Sequence, residues 1–326
     1  MKVLFIGGTG VISTSCSQLC LEKGYDLFLL NRGKSIRTAP EGAKIISGDI
    51  NDVEAIKKII EKEEFDSVVD WIAFSENNVK RDFELFRDKT AQYIFISSAS
   101  AYSPKRTLPI TEKTPLENPY WAYSHAKIDC ENYLMEKYRE EKFPVTIVRP
   151  SHTYDKTKNL LRVDYLPFYR MKNGKPIIIH DEGKSLWTLT HTKDFAKGFV
   201  GLLGNQKTIG EAYHITSDEV LTWNKIAETL AETAGFEVKI SHIPSKFIAK
   251  YDEEWGAGFL GDKANDAVFD NSKIKSIVPD FKATIPFSRG AAEIVEWFSN
   301  PQNQNIDAKL DALMDKIISD YSGIIK

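Results

Sequence analysis

No apolar run of about 18 residues, the length a membrane-crossing helix needs, occurs in this chain. The opening segment MKVLFIGG has too short an apolar stretch for a secretion signal, and glycines interrupt it at once. A cytoplasmic protein with no membrane partner is the expectation. Cysteine is scarce, with three in 326 residues; an odd, low count argues against a disulfide framework. Cys16 and Cys20 stand four apart on a predicted helix and share a face. Two small residues packing a helix onto a sheet explain them more simply than a metal or redox pair. The six histidines show no metal-ligand spacing, so no metal is expected. A lysine- and arginine-rich tract is missing too, and the net charge is −3, which disfavours nucleic acid as a partner. Internal repeats and low-complexity segments are absent.

What the chain does have is alternation of strand and helix patterns. KVLFIG (2–7), DLFLL (26–30), AKIISG (43–48), SVVDWIAF (67–74), QYIFIS (92–97) and VTIVRP (145–150) read as buried strands. Helices are expected over 11–23, stopped by Gly24, over 52–64, capped by Asn51, and over 76–88 and 120–141. Such alternation predicts an α/β fold, a Rossmann-type doubly wound parallel sheet, with ligands at the carboxyl ends of its strands. After Pro150 the rhythm breaks. EAYHIT (211–216) and KISHIP (239–244) read as strands, 222–236 and 289–300 as helices, and 251–266 as loop. The tail 305–321 is amphipathic and suited to docking on the body or on a partner. Residues 1–150 are expected to form the dinucleotide-binding domain, 151–300 a smaller mixed α/β C-terminal substrate domain, and 301–326 a helical tail.

The segment GGTGVIS (7–13) follows a strand and opens a helix, the context in which a glycine motif cradles a phosphate. Gly7 permits the tight turn and Gly10 the close approach of backbone; Val11 and Ile12 begin the helix. The usual third glycine is missing. Ser13 stands there, and serine adds only a small side chain at a position that serves helix–strand packing. A glycine-rich turn with no ligand is the plain alternative. The acid that usually ends the second strand is missing as well. Asn31 and Arg32 stand in its place, and Arg32 suits a 2′-phosphate, tilting the choice between NAD and NADP toward NADP. Asp49, after the third strand, is placed to reach an adenine amino group, with Ile50 beside it.

Tyr123 and Lys127 lie four apart on a predicted helix, hence on one face. A free tyrosine, with a pKa near ~10, is a poor base at neutral pH. A neighbouring ammonium and an oxidised nicotinamide both favour the phenolate. Ser98, just off the fifth strand, is placed to bond a substrate oxygen.

Taken together, GGTGxxS, Ser98, Tyr123-x-x-x-Lys127 and IVRPSHTY (147–154) resemble the extended short-chain dehydrogenases/reductases, the superfamily of NAD-dependent sugar-nucleotide epimerases and dehydratases. The resemblance covers roughly residues 1–300. NRG (31–33) and YIFISSASAY (93–102) also resemble its branch containing the chloroplast stem-loop-binding proteins. The resemblance implies an enzyme that moves hydride between a nicotinamide and a sugar-like alcohol or ketone, as an epimerase or oxidoreductase. In it Tyr123 is the acid/base, Lys127 holds the ribose and lowers the tyrosine pKa, and Ser98 positions the reacting oxygen. It also implies that the chain returns to the first domain around 187–205, and that Ala73 and Pro150 join the cofactor site. A homodimer through helices 76–88 and 120–141 is implied too. The alternatives are a non-catalytic RNA-binding relative and an NAD(P)-sensing one.

This chain also departs from that pattern. The Asp-Glu pair by which 4,6-dehydratases expel water is here Ala99-Ser100, which argues against dehydration. The residues by which UDP-sugar epimerases hold a diphosphate fall at His152, Asp164, Trp187 and near Phe259. Ser98, His152, Asp164 and Trp187 are the substrate-side candidates, and Trp187 is suited either to stacking on a ring or to the core. Arg162, Arg170 and Lys184 are the cations available to substitute.

Overall fold

The computed structural model describes residues 1–325 apart from Ile36 and Val163. The first half runs β1 (Lys2–Ile6), α1 (Val11–Glu22), β2 (Asp26–Asn31), β3 (Lys44–Ser47), α2 (Val53–Ile59), β4 (Ser67–Asp70), α3 (Glu76–Phe86), β5 (Tyr93–Ile96), α4 (Ala122–Glu141) and β6 (Val145–Pro150). All these strands pair in parallel. The register sets Ile6 opposite both Leu30 and Asp70, so the loops that follow open along one edge. Alternation along β1 builds a core on each face. Val3 and Phe5 join α1, while Leu4 and Ile6 pack with Val79 and Phe83 of α3 and Leu134 of α4. Cys16 and Cys20 are free and buried in the first of these cores.

The second half runs β7 (His152–Tyr154), α5 (Leu166–Lys172), β8 (Ile177–His180), β9 (Leu186–Trp187), β10 (Leu189–His191), α6 (Thr192–Val200), β11 (Ala212–Ile215), β12 (Leu221–Thr222), α7 (Trp223–Ala234), β13 (Ile240–Ile243), α8 (Ser245–Ile248), α9 (Glu253–Gly258), α10 (Ser272–Ile277), α11 (Phe287–Ser299) and α12 (Ala308–Ile325). β11 pairs with β6 and becomes the seventh strand, giving the order β11-β6-β5-β4-β1-β2-β3. The fold is thus a Rossmann-type doubly wound parallel sheet, to which 192–215 returns. Small two-stranded pairs, β10 with β7, β12 with β9 and β13 with β8, make up the rest. No helix among the described residues is long and apolar enough to cross a membrane.

Three local expectations change. The cap of α2 is Asp52, whose carboxylate accepts from the Ala55 N–H at 3.1 Å, and not Asn51; α2 also ends at Ile59, short of 64. The strand expected over 67–74 stops at Asp70, because the buried Asp70 carboxylate accepts from the Ile72 N–H at 2.6 Å and turns the chain. The stretch 251–266, expected as loop, holds α9 and a π-helical turn, Phe259–Lys263. Its glycines serve contact rather than flexibility: a Cβ on Gly256 meets Ala249 Cβ at 2.3 Å, and one on Gly261 meets Asn118 Oδ1 at 2.7 Å.

The tail helix α12 docks on the body. Arg170 of α5 is fully buried and donates to the Asp311 carboxylate, to Asp315 Oδ1 at 2.8 Å and to the Pro176 carbonyl at 2.8 Å. Met314 and Ile317 close the apolar side against Ile178, Ile243 and Trp255.

Candidate active site

A cleft of about 770 Å³ opens at the carboxyl ends of β1, β2, β4, β5 and β6. Gly7, Gly10, Val11 and Ile12 line it from the first loop, Asn31 and Arg32 from the second, Asp49 and Ile50 from the third. Ser98, Tyr123, Lys127 and Pro150 complete the set. Gly7 has φ +99°, which only glycine adopts without strain, and its Cβ would stand 3.2 Å from Ile72 Cγ2. The first turn of α1 carries no acid, so its amides face the cleft without a competing charge. Ser13 does more than fill space. It is buried, and its hydroxyl accepts from the Gly10 N–H at 2.8 Å, fixing the loop onto the helix. These features fit a dinucleotide pyrophosphate.

At the far end of the cleft, Arg32 Nη1 lies 3.6 Å from Asp49 Oδ2, and both side chains stay largely exposed. The Asn51 N–H donates to the Asp49 carboxylate and helps hold it below the ordinary carboxylate range. Asn31 Oδ1 accepts from the Gly33 N–H at 3.0 Å and shapes the turn that presents Arg32.

At the near end, Ser98 opens a short 3-10 turn after β5. Its hydroxyl acts on the Tyr123 phenol and lies 2.9 Å from Ser100 Oγ, which Ser124 Oγ meets at 2.8 Å. Tyr123 sits in the first turn of α4 and Lys127 one turn later, on the same face. Trp121 packs on Tyr123 with ring centres 4.9 Å apart. Lys127 Nζ donates to the carbonyls of Ala73 at 2.6 Å and Ile96 at 2.8 Å, over the Phe74 and Phe95 rings. Burial pushes its ammonium down to about 8. Burial also pushes the Tyr123 phenol up; the Ser98 hydrogen bond opposes this, and the nearby Asp262 carboxylate adds to it. The ammonium points at two carbonyls, 5.9 Å from the Tyr123 ring centre.

The substrate-side expectations fare unevenly. Trp187 is 2% exposed and belongs to the core, where its ring centre lies 5.3 Å from that of Trp223. Its indole N–H donates to His152 Nδ1 at 3.1 Å, so it offers no open stacking face. His152 is drawn into the same cluster, and burial pushes its imidazole down to about 3, leaving it neutral. Asp164 is exposed in a left-handed turn, φ 48°, ahead of α5 and off the cleft wall. Phe259 stacks on His180 at 4.6 Å. Ala73 contributes its carbonyl to Lys127 while its methyl is wholly buried, so it is not a wall residue. Of the substitute cations, Arg170 is consumed by α12 and Lys184 pairs with Glu182 at 2.7 Å. Arg162 pairs with Asp252 at 3.1 Å and lies 4.2 Å over the Trp255 ring. His191 bonds Glu293 at 3.1 Å, as a structural residue does.

The sequence reading missed Ile72 and Phe74, which line the cleft and are 42% and 52% exposed. Their apolar character extended the apparent strand; the signal was Asp70, a charge inside an apolar run.

A family model described as the NAD dependent epimerase/dehydratase family matches residues 3–216. The 41 kDa chloroplast stem-loop binding protein b of Arabidopsis thaliana is 29% identical over 259 residues, spanning 75% of this chain and 66% of that protein. The 2'-dehydrokanamycin reductase of Streptomyces kanamyceticus is 23% identical over 321 residues, 97% of this chain and 90% of the relative. Among solved structures, UDP-glucuronic acid 4-epimerase from Bacillus cereus, in complex with UDP-glucuronic acid and NAD, superposes with a TM-score of 0.73 at 18% identity, over 92% of this chain and 99% of that one.

Proposed function

The chain belongs to the NAD dependent epimerase/dehydratase family, and on that premise we propose that it is an NAD(P)-linked epimerase or oxidoreductase acting on a sugar-like alcohol or ketone. The observation that carries this is the pairing of Ser98 with Tyr123 one helical turn from a buried Lys127, at the near end of the dinucleotide cleft. When bound, the dinucleotide supplies a hydride acceptor or donor. Tyr123 Oη takes the proton from the reacting hydroxyl or returns it to the carbonyl oxygen. Ser98 Oγ holds that oxygen within reach of the phenol. Lys127 would hold the ribose of a bound dinucleotide, and its ammonium, one helical turn from Tyr123, would favour the phenolate.

The turn beside Ser98 reads Ala99-Ser100 and carries no carboxylate, which supports hydride transfer without elimination of water. The stem-loop-binding relative does not draw the reading toward RNA, because the sequence, with a net charge of −3, has no lysine- and arginine-rich tract for phosphates. The test is a panel of sugar-like alcohols and ketones incubated with NAD(H) and NADP(H). Cofactor turnover with one class, lost in Tyr123→Phe, supports the reading. Tight dinucleotide binding with no turnover on any member would replace it with a redox-sensing role.

A further inference from the structure

A buried network ties the two ends of the cleft together through one side chain. Arg81 of α3 is 10% exposed and faces three groups at once. Its Nη1 donates to Asn51 Oδ1 at 2.7 Å, and Asn51 in turn donates N and Nδ2 to Asp49 Oδ1, both at 3.0 Å. Its Nε and Nη2 donate to Asp82 Oδ1 at 2.9 and 2.7 Å, and Nη2 also lies 3.3 Å from Asp70 Oδ2. Asp70 and Asp82 are both fully buried, and Tyr93 donates its hydroxyl to Asp82 Oδ2 at 2.7 Å.

Each partner of Arg81 controls part of the cleft wall. Asp49 and Asn51 line the adenine-side end. Asp70 turns the chain at the end of β4 through the Ile72 N–H. The segment after that turn carries Ile72 and Phe74 into the cleft and sets the Ala73 carbonyl against Lys127 Nζ. A guanidinium can do this because its donors are fixed in a planar fork; an ammonium is a point charge and cannot span both sides. Burial and the neighbouring Asp82 push the Asp70 carboxyl up, and the Arg81 guanidinium opposes this.

We propose that Arg81 is a positioning residue for the dinucleotide, locking the Asp49–Asn51 turn and the Asp70–Phe74 turn into one register so that both ends of the cofactor are set together. This rests on the dinucleotide reading of the cleft.

The experiment measures binding rather than turnover, using ADP and NADH with wild type, Asn51→Ala, Arg81→Lys and Arg81→Met, read by calorimetry or by quenching of Trp71 in the cleft wall. Asn51 is exposed, so its variant leaves the buried pairs intact. Asn51→Ala and Arg81→Lys should each weaken ADP and NADH alike, by about threefold, the effect of one lost hydrogen bond. Arg81→Met should weaken NADH about tenfold more than it weakens ADP, because the turn at the nicotinamide end also loses its anchor. Equal effects of Arg81→Met on the two ligands overturn the coupling. Should Arg81→Met not fold, wild-type ADP affinity in both Asn51→Ala and Arg81→Lys overturns it instead. Failure of the wild type to bind either ligand overturns the dinucleotide reading itself, whatever Arg81 does.

Discussion

Lys127 Nζ stands 2.6 Å from the Ala73 carbonyl and 5.9 Å from the centre of the Tyr123 ring. The lysine is therefore held as a buried ammonium on backbone oxygens, poised beside the phenol rather than bonded to it. Burial lowers its pKa to about 8 in the fold, from the ordinary lysine value of 10.5. The folded protein thus binds fewer protons than the unfolded chain between these values, and stability rises with pH there. Below about 8 the folding cost of the buried charge is present in full; above about 10.5 it is gone. The shift corresponds to on the order of 3 kcal/mol. Relative to Lys127→Met, the wild type is expected to gain about that much between pH 7 and pH 10.5, measured by urea unfolding at several pH values. A difference between the two proteins that stays flat across this range would show that the ammonium is not buried as described.

Tyr123 is pushed up by burial before any ligand charge acts on it. A phenol that keeps its proton at neutral pH suits proton donation to a carbonyl, the reductive direction. Reduction should hold its rate through neutral pH and fall only in the alkaline range. Oxidation, which needs the phenolate, should climb with pH instead. Tyr123→Phe is expected to lower turnover by about a hundredfold or more while NADH affinity stays within about twofold. Ser98→Ala removes the hydrogen bond that opposes the upward shift, so its oxidative limb should move to still higher pH. An oxidative profile unchanged in Ser98→Ala would separate the serine from the phenol.

Arg32 offers its guanidinium across an exposed gap to Asp49, with a long 3.6 Å contact that a stronger anion can displace. A 2′-phosphate is such an anion. Arg32→Ala should weaken NADPH binding by about tenfold, the worth of a charged hydrogen bond, and leave NADH within about twofold. Equal losses for the two cofactors, by calorimetric titration, would remove the argument for NADP.

The sequence made legible what backbone periodicity and local chemistry control. β1, α1, β5, α4 and β6 stand where alternating patterns put them, and with them Gly7, Gly10, Ser98, Tyr123 and Lys127 around one cleft. Side chains whose fate depends on distant packing were not legible. Trp187 looked equally suited to a ligand and to the core; it took Trp223, 36 positions on, and His152 to bury it. Gly256 and Gly261 read as loop residues because glycine signals both turns and close contact, and only the contacts with Ala249 and Asn118 distinguish the two. The Lys127 environment was not legible for the same reason. Helical spacing put the ammonium on the tyrosine's face, but the carbonyls that capture it come from β4 and β5 segments 54 and 31 residues away.

The last expectation concerns the tail. Arg170 is fully buried, and α12 meets it with Asp311 and Asp315. Lys175 also reaches both carboxylates, at 2.7 Å each, from a partly exposed position. Removing the arginine alone strands Asp311, 14% exposed, against an apolar surface with only Lys175 to balance it. Breaking a buried pair from one side costs about 3–5 kcal/mol, and the remaining lysine places this case at the lower end. Arg170→Met should therefore lose about 3 kcal/mol in urea unfolding and expose α12 to limited proteolysis before the sheet domain is cut. Replacing both sides, Arg170→Met with Asp311→Leu, removes the stranded charge and should recover most of the loss, since apolar groups of similar volume pack as well as the pair. A double variant no more stable than the single one would mean that α12 is held by the charges themselves rather than by the apolar face of Met314 and Ile317.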